Sequence, residues 1–327
     1  MTIKNNVEQE PFIWVDYQTD NFDDFSQTVQ SWSVDFLQLD GGKFHTHLQQ
    51  LILPEVEITQ VHFDCHLDQK GTSPEGKWTF ALMSEKSSMF KFNHKMTESN
   101  STMLIYSPGQ KINGVSYEGF HVYPFSIEHS HFKKLTRDLG MDEIEEKLSS
   151  LDRVELEPQQ ADALRAQLKD ILTNVSDLKH KVITQERKNL LLHFLPLKFL
   201  KVIGENIGCA REIPIKEKDM LFMEIRAYMH AHIHEQLTVA GLAKQFKLSE
   251  RSLRNYFNEE LNTSPKQYLT TLRLTKIRDE LKVQKMEKGL IDYTARKFGF
   301  QHMGPFSKTY KEYFGELPSE TLSSNNE

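Results

Sequence analysis

Two short runs of polar side chains in the last third of the chain have the types and spacing for work on a nucleic acid. Arg251, Ser252, Arg254, Asn255 and Asn258 fall on one predicted helix, on the side opposite or flanking Leu253 and Phe257. A guanidinium makes two parallel hydrogen bonds to guanine O6 and N7, and a carboxamide makes two to adenine N6 and N7. Met303, Ser307, Lys308 and Lys311 stand at equivalent places on a second predicted helix. A thioether there suits a thymine methyl group, and the lysines suit phosphates. Any one of these residues alone is ordinarily a solvated polar group. What gives them meaning is the frame that repeats around them.

Histidines form the other chemical constellation. His45-Thr-His47, with His62 and His66 close by, would suit a metal site in a small β-barrel. The alternation argues otherwise. His45 and His47 lie opposite Phe44 and Leu48, and His62, Asp64 and His66 lie opposite Val61, Phe63 and Cys65. Both sets are expected on outward, solvated faces, with no metal and no cofactor. His230-Ala-His-Ile-His234 is expected to decorate an exposed helix. No nucleophile elbow, phosphate loop or paired-histidine zinc motif is present, so the chain does not read as an enzyme. A cupin-like metal-dependent enzyme fused to a helical module is the alternative.

The elements around these residues change character along the chain. Phe22, Phe25, Val29 and Trp32 recur at helical spacing. From about 40 to 128 the period becomes two, in short runs bounded by turn residues, which predicts a β-sandwich or cupin-like barrel. Within it, Val56 and Ile58 fall out of phase with Val61 and Phe63, which predicts a bulge near Gln60 or a junction of two strands. From about 129 the pattern is helical. Leu164, Leu168, Leu172 and Val175 make an apolar stripe expected to mediate dimerisation, and a second helix is expected over 184–203. Gly208 and Pro214 mark 206–217 as a linker. The expected division is a sensor and dimerisation domain at 1–205, an all-α domain at 218–322 and a tail at 323–327.

That last domain contains a degenerate repeat. Ala243-Lys-Gln-Phe-Lys-Leu248 matches Ala295-Arg-Lys-Phe-Gly-Phe300. Leu253 and Phe257 match Phe306 and Tyr310, and Leu261-Asn-Thr-Ser-Pro265 matches Phe314-Gly-Glu-Leu-Pro318. Small Ala243 and Ala295 permit close helix crossing. Ser249 can cap a helix, while Gly299, Asn262 and Gly315 tolerate the left-handed conformation that ends one. This is the layout of two helix-turn-helix units. The helix between them, about Pro265 to Val283, would span roughly 28 Å at 1.5 Å per residue, close to the ~34 Å between successive major grooves on one face of a duplex.

On these residues the stretch 218–322 resembles the DNA-binding domain of AraC/XylS-type bacterial transcription regulators. Ser249-Glu-Arg-Ser-Leu-Arg-Asn-Tyr-Phe257 resembles the first recognition helix, and Ala295–Phe300 with Phe314-Gly-Glu-Leu-Pro318 resembles the second unit. The ending Gly299–Phe306 is nearest the subgroup that contains the ethanolamine-utilisation regulator EutR. The resemblance implies a sequence-specific regulator, more often an activator, that binds double-stranded DNA, contacts RNA polymerase, forms a homodimer and senses a small molecule with its front domain. Departures from the pattern are Asn255 where many members carry arginine, Asn262 where most carry glycine, and Gly304-Pro305 in the first turn of the second recognition helix.

Charge agrees with this division. The chain has a net charge of −6, yet residues 218–322 hold 17 Lys+Arg against 13 Asp+Glu. A sign reversal confined to one third of a chain suits a nucleic-acid module on an acidic body. The first 136 residues contain no arginine, which disfavours a multiply charged phosphate effector and points to an uncharged or singly charged one. Two cysteines, no apolar secretory core at the start and a mean hydropathy of −0.54 lead to the expectation of a cytoplasmic protein with no membrane partner.

Overall fold

The computed structural model describes residues 12–22, 24–25, 32–42, 44–97, 99–176, 184–209, 216–284, 287 and 289–323. Alternating apolar and polar residues build twelve strands: β1 (Ile13–Thr19), β2 (Ser33–Gln38), β3 (Thr46–Ile52), β4 (Val56–Phe63), β5 (Leu67–Thr72), β6 (Lys77–Met83), β7 (Phe90–Phe92), β8 (Lys95–Met96), β9 (Thr102–Tyr106), β10 (Lys111–Ser116), β11 (Phe120–Glu128) and β12 (Arg153–Glu155). They form a seven-stranded sheet, β1-β3-β4-β11-β6-β9-β12, and a five-stranded sheet, β2-β5-β10-β7-β8. The two sheets are not closed into a barrel. They face each other across a core that includes Phe25, Phe63, Phe90, Phe92 and Phe120.

Helices cover the outer face of the larger sheet: α1 (His129–Asp138), α2 (Ile144–Ser149), α3 (Pro158–Ser176), α4 (Gln185–Asn189), a π-turn at Leu190–Phe194 and α5 (Leu195–Asn206). Trp78, Phe80, Phe125 and Phe199 anchor this second core. The C-terminal helices are α6 (Glu217–Ala231), α7 (Val239–Gln245), α8 (Glu250–Leu261), α9 (Pro265–Val283), α10 (Leu290–Lys297), α11 (Met303–Phe314) and α12 (Pro318–Ser323). They surround a third core, which Leu37, Leu39 and Val115 of the β-domain also enter. The molecule is thus four layers: helices, large sheet, small sheet, helices. No helix among the described residues is long and apolar enough to cross a membrane.

Several expectations are corrected. Strands begin at Ile13 rather than near residue 40. Of the early helix, Phe22, Asp24 and Phe25 are helical and Val29 lies outside the described residues. No bulge interrupts β4, which pairs with β3 in unbroken register from Thr46↔Phe63 to Ile52↔Glu57. Its hydrophobic phase changes because Val56 and Ile58 enter the helix-covered core while Val61 and Phe63, on the other face, enter the core between the sheets. The Leu164, Leu168, Leu172 and Val175 stripe is buried against its own β-domain, 0%, 0%, 1% and 7% exposed, and is therefore not a free dimerisation surface. The expected 184–203 helix continues through Gly204 to Asn206, and much of the expected linker, 210–215, lies outside the described residues.

Candidate nucleic-acid interface

The repeat ends its helices with matching bonds, although only the first unit has side-chain caps at its helix starts. In the first unit α7 is capped by Thr238, whose Oγ1 accepts from the Gly241 N–H at 3.0 Å. It ends where Leu248 N–H donates to the Ala243 carbonyl at 2.8 Å, with Lys247 left-handed at φ 54°. In the second unit α10 ends with the matching bond, Phe300 N–H to the Ala295 carbonyl at 2.9 Å, and Gly299 takes the left-handed place at φ 88°. This bond from the sixth residue back to the first closes off carbonyls that a helix end leaves unpaired. Each second helix then ends the same way. Asn262 at φ 49° donates to the Asn258 carbonyl, and Gly315 at φ 76° donates to the Lys311 carbonyl. Asparagine is the non-glycine residue best suited to that conformation, so its departure from the family pattern costs little.

Leu253, Phe257, Phe306 and Tyr310 are each at most 1% exposed and pin the two second helices to the core. What remains outward on α8 is the series Arg251, Arg254, Asn255 and Asn258, all exposed. Positions i, i+3, i+4 and i+7 share one helix face. Ser249 caps α8 by accepting from Ser252 N–H at 3.0 Å, and the Ser252 hydroxyl lies 2.8 Å from that of Ser249. Ser252 thus serves the helix start first. On α11, Lys308 and Lys311 are exposed, whereas Ser307 is half-buried and Met303 is half-buried against the core. Pro305 sits in the first turn, where no intrahelical donor is needed.

The charges on this face are available. Lys308 has an exposed pair with Glu312 at 3.8 Å. Such a pair contributes at most about 1 kcal/mol and yields readily to a phosphate. Among the described residues, Arg251, Arg254 and Lys311 have no ion-pair partner. The linking helix α9 has 19 residues, the length expected from sequence, and Ser264 caps it by accepting from Gln267 N–H at 3.1 Å. The structure therefore presents two exposed helices in a common frame, joined by a stiff spacer whose ~28 Å length approaches one groove repeat.

The reverse side of the same helices is a seam with the small sheet, which no periodicity revealed. Arg226 of α6 and Asp68 of β5, each 3% exposed, form an ion pair that Tyr268 joins by donating to Asp68 Oδ2 at 3.2 Å. Arg226 also donates to Asn113 Oδ1 at 2.7 Å; Asn113 Nδ2 donates to His94 Nε2 at 2.8 Å; and His94 Nδ1 donates to Glu260 Oε2 at 2.8 Å. Burial raises the Glu260 carboxyl, but the His94 hydrogen bond and the Lys91 charge outweigh it and hold the group below its ordinary value. Among the described residues, His94, Asp219 and Glu260 have ligand atoms within 4.8 Å of one another. Lys91 Nζ, 3.2 Å from Glu260 Oε2, already supplies positive charge there.

The other histidines divide. His45 and His47 face outward and meet Asp20 and Asp16 at 2.6 and 2.8 Å. His62 meets Asp64 at 3.0 Å. His66 departs from expectation: it is 5% exposed and stacked on Tyr117. His230 also departs. It is not on an exposed face but hydrogen-bonds the Tyr268 hydroxyl at 2.9 Å, and burial, then Arg226, Lys70 and Lys276, push its pKa down to about 4.

Residues 242–324 match a family described as a helix-turn-helix domain. The XylDLEGF operon transcriptional activator of Pseudomonas putida is 32% identical over 125 residues, 38% of either chain. The probable thc operon regulatory protein of Rhodococcus erythropolis is 38% identical over 96 residues, 29% of either chain. These alignments span less than two fifths of the relatives' length. Among solved structures, the AraC-like transcriptional activator CuxR superposes with a TM-score of 0.45 at 17% identity, over 80% of this chain and 94% of that one.

Proposed function

We propose that this chain, whose C-terminal domain is of the AraC/XylS type, is a sequence-specific DNA-binding transcription regulator that works as an activator. The observation that carries this reading is the duplicated unit, its helices terminated by matching backbone bonds, with unpaired Arg251, Arg254 and Lys311 outward. Arg251 and Arg254 read guanines, Asn255 and Asn258 read adenines, and Lys308 and Lys311 hold phosphates. The first unit reads more sequence than the second, because Gly304, Pro305 and half-buried Met303 offer fewer groups to base edges. The names of the Pseudomonas relatives, operon activators, favour activation over repression, and an activator contacts RNA polymerase.

The reading extends to the whole chain. Residues 1–205 form the sensor and dimerisation domain, 206–217 the linker and 218–322 the reading domain of a cytoplasmic homodimer. Its effector is a small organic molecule, uncharged or singly charged, consistent with the arginine-free first 136 residues. The enzyme alternative is the weaker one, since His45, His47 and His62 each face a carboxylate outside the core.

The test is selection of duplexes from a random pool by the full-length chain, followed by titration of the winner in increasing salt. A single enriched motif and an affinity that falls steeply with salt are expected. No enrichment, and no duplex binding at low salt, would overturn the proposal.

A further inference from the structure

Three histidines stand in one row across the large sheet. The register places His47 of β3 opposite His62 of β4, and His62 opposite His121 of β11. Residues directly opposite on antiparallel strands have Cβ atoms about 4.5–5.5 Å apart, and side chains alternate across a strand. His47, His62 and His121 therefore share the outer face with Leu51, Ile58 and Tyr123, which enter the helix-covered core. The ring centroids of His62 and His121 are 5.7 Å apart, with the planes at 78°. No sequence motif joined His121 to the other two; the sheet does.

Each ring is set to offer a lone pair. His47 Nε2 lies 2.8 Å from Asp16 Oδ1, and Asp16 Oδ2 accepts from Gln49 Nε2 at 3.0 Å. His62 Nε2 lies 3.0 Å from Asp64 Oδ1. A neutral imidazole that donates from Nε2 keeps an acceptor pair on Nδ1, and a carboxylate behind the ring is the usual support of a metal-bound histidine. Among the described residues, neither Nδ1 has a hydrogen-bond partner. His121 Nε2 is buried, with no partner among the described residues. A polar atom so placed ordinarily meets a water or an ion. Burial, then His62, lowers the His121 pKa to about 4, so the ring is neutral at neutral pH; Lys169 of α3 and His47 act the same way, and Glu85 opposes them. The seam cluster of His94, Asp219 and Glu260 is tighter but already satisfied. Both His94 nitrogens are engaged, by Asn113 and by Glu260, and Lys91 pairs with Glu260.

We propose that His47, His62 and His121 form a site for one divalent ion of the zinc type on the outer face of the large sheet. Imidazole nitrogens suit zinc, nickel and copper, whereas magnesium and calcium take oxygen ligands. The three rings stand side by side here, and rotation about χ1 and χ2 brings the outer two over the middle one. Three nitrogens leave the fourth tetrahedral position to water. Because β3, β4 and β11 are consecutive in the sheet, the ion ties three strands together across their register. It binds only the folded arrangement and therefore stabilises the front domain. The proposal does not depend on the DNA-binding reading.

The test is calorimetric titration of the tag-free, chelator-stripped full-length chain with zinc, repeated with cobalt, whose visible absorption reports tetrahedral ligation. One ion per chain is expected, held at micromolar zinc, undisturbed by millimolar magnesium, and raising the midpoint of thermal unfolding. A group that supports a ligand is worth about 10–100-fold in affinity, so Asp16→Asn should weaken binding about tenfold, and loss of a ligand in His47→Gln or His62→Gln about a hundredfold. Both histidines are only half-buried, so these variants should fold even if His121→Gln does not. Asp219→Asn, at the seam cluster, is expected to leave zinc binding unchanged. Zinc lost in Asp219→Asn and kept in His62→Gln would put the ion at the seam and overturn the proposal. So would no binding with zinc in tenfold excess over tens of micromolar protein, or weak binding of several ions that neither histidine variant reduces.

Discussion

Arg226 is the residue whose replacement tests the seam most directly. Arg226 and Asp68 are each 3% exposed, and the pair lies between a strand and a helix 158 residues apart in sequence. Removing one member of a buried pair leaves the other charged and unsolvated, at a cost of about 3–5 kcal/mol. Asp68→Asn keeps an acceptor for Tyr268 and Arg226 and loses only the countercharge, so about 3 kcal/mol is expected. Arg226→Met also breaks the Asn113 bond and orphans the carboxylate, so about 5 kcal/mol is expected. The double variant buries no net charge, and its loss should fall short of the summed singles by about 2–3 kcal/mol. The assay is urea unfolding of the full-length chain, followed by tryptophan fluorescence, which reports the front domain that holds all three tryptophans, and by far-ultraviolet circular dichroism. A docked wild type gives coincident transitions, and the single variants separate them. An Arg226→Met loss below about 1 kcal/mol, or separate transitions already in the wild type, would show that the domains do not dock through this pair.

Arg251→Ala should cost about 1–3 kcal/mol on the selected duplex and little on random DNA; equal losses on both, in titrations at fixed salt, would reassign Arg251 to a phosphate. Acid should weaken the fold through His121 and His230. Burial is the main cause that lowers each from 6.5 to about 4, with His62 next for His121 and Arg226 next for His230. A depressed histidine is neutral when folded and protonated when unfolded, so stability is full above pH 6.5 and declines as pH falls toward 4, by at most about 1.4 kcal/mol per unit for each histidine. His230→Gln should flatten that slope in urea midpoints measured between pH 4.5 and 7, and an unchanged slope would refute the assignment. With the leucine stripe buried, Leu190 and Phe194, 38% and 65% exposed and one turn apart, are the exposed large apolar groups among the described residues of 160–203, the segment expected to dimerise. Phe194→Asp should therefore turn the proposed dimer into a folded monomer by sedimentation at tens of micromolar, and an unchanged dimer would place the interface elsewhere.

The C-terminal helical domain was legible in the sequence because its determinants are local. Caps at Ser249 and Ser264, left-handed positions at Asn262, Gly299 and Gly315, and apolar pairs four residues apart act within a turn or two of helix. Duplication let each unit check the other, so the outward face of Arg251, Arg254, Asn255 and Asn258 followed from the inward face of Leu253 and Phe257. What covers a covered face was not legible, because periodicity reports that a face is apolar and not what meets it. The Leu164 stripe met its own sheet rather than a second copy, and β4 served two cores with one strand, which in sequence resembled a bulge. Polar residues at the seam carried no sequence signal at all. Asp68, Glu260 and His230 look like ordinary surface groups until residues more than 150 positions away bring Arg226, His94 and Tyr268 against them, or, for His230, until a helix folds back within 38. Burial of a charge depends on a long-range partner to neutralise it, and only the tertiary structure supplies that partner.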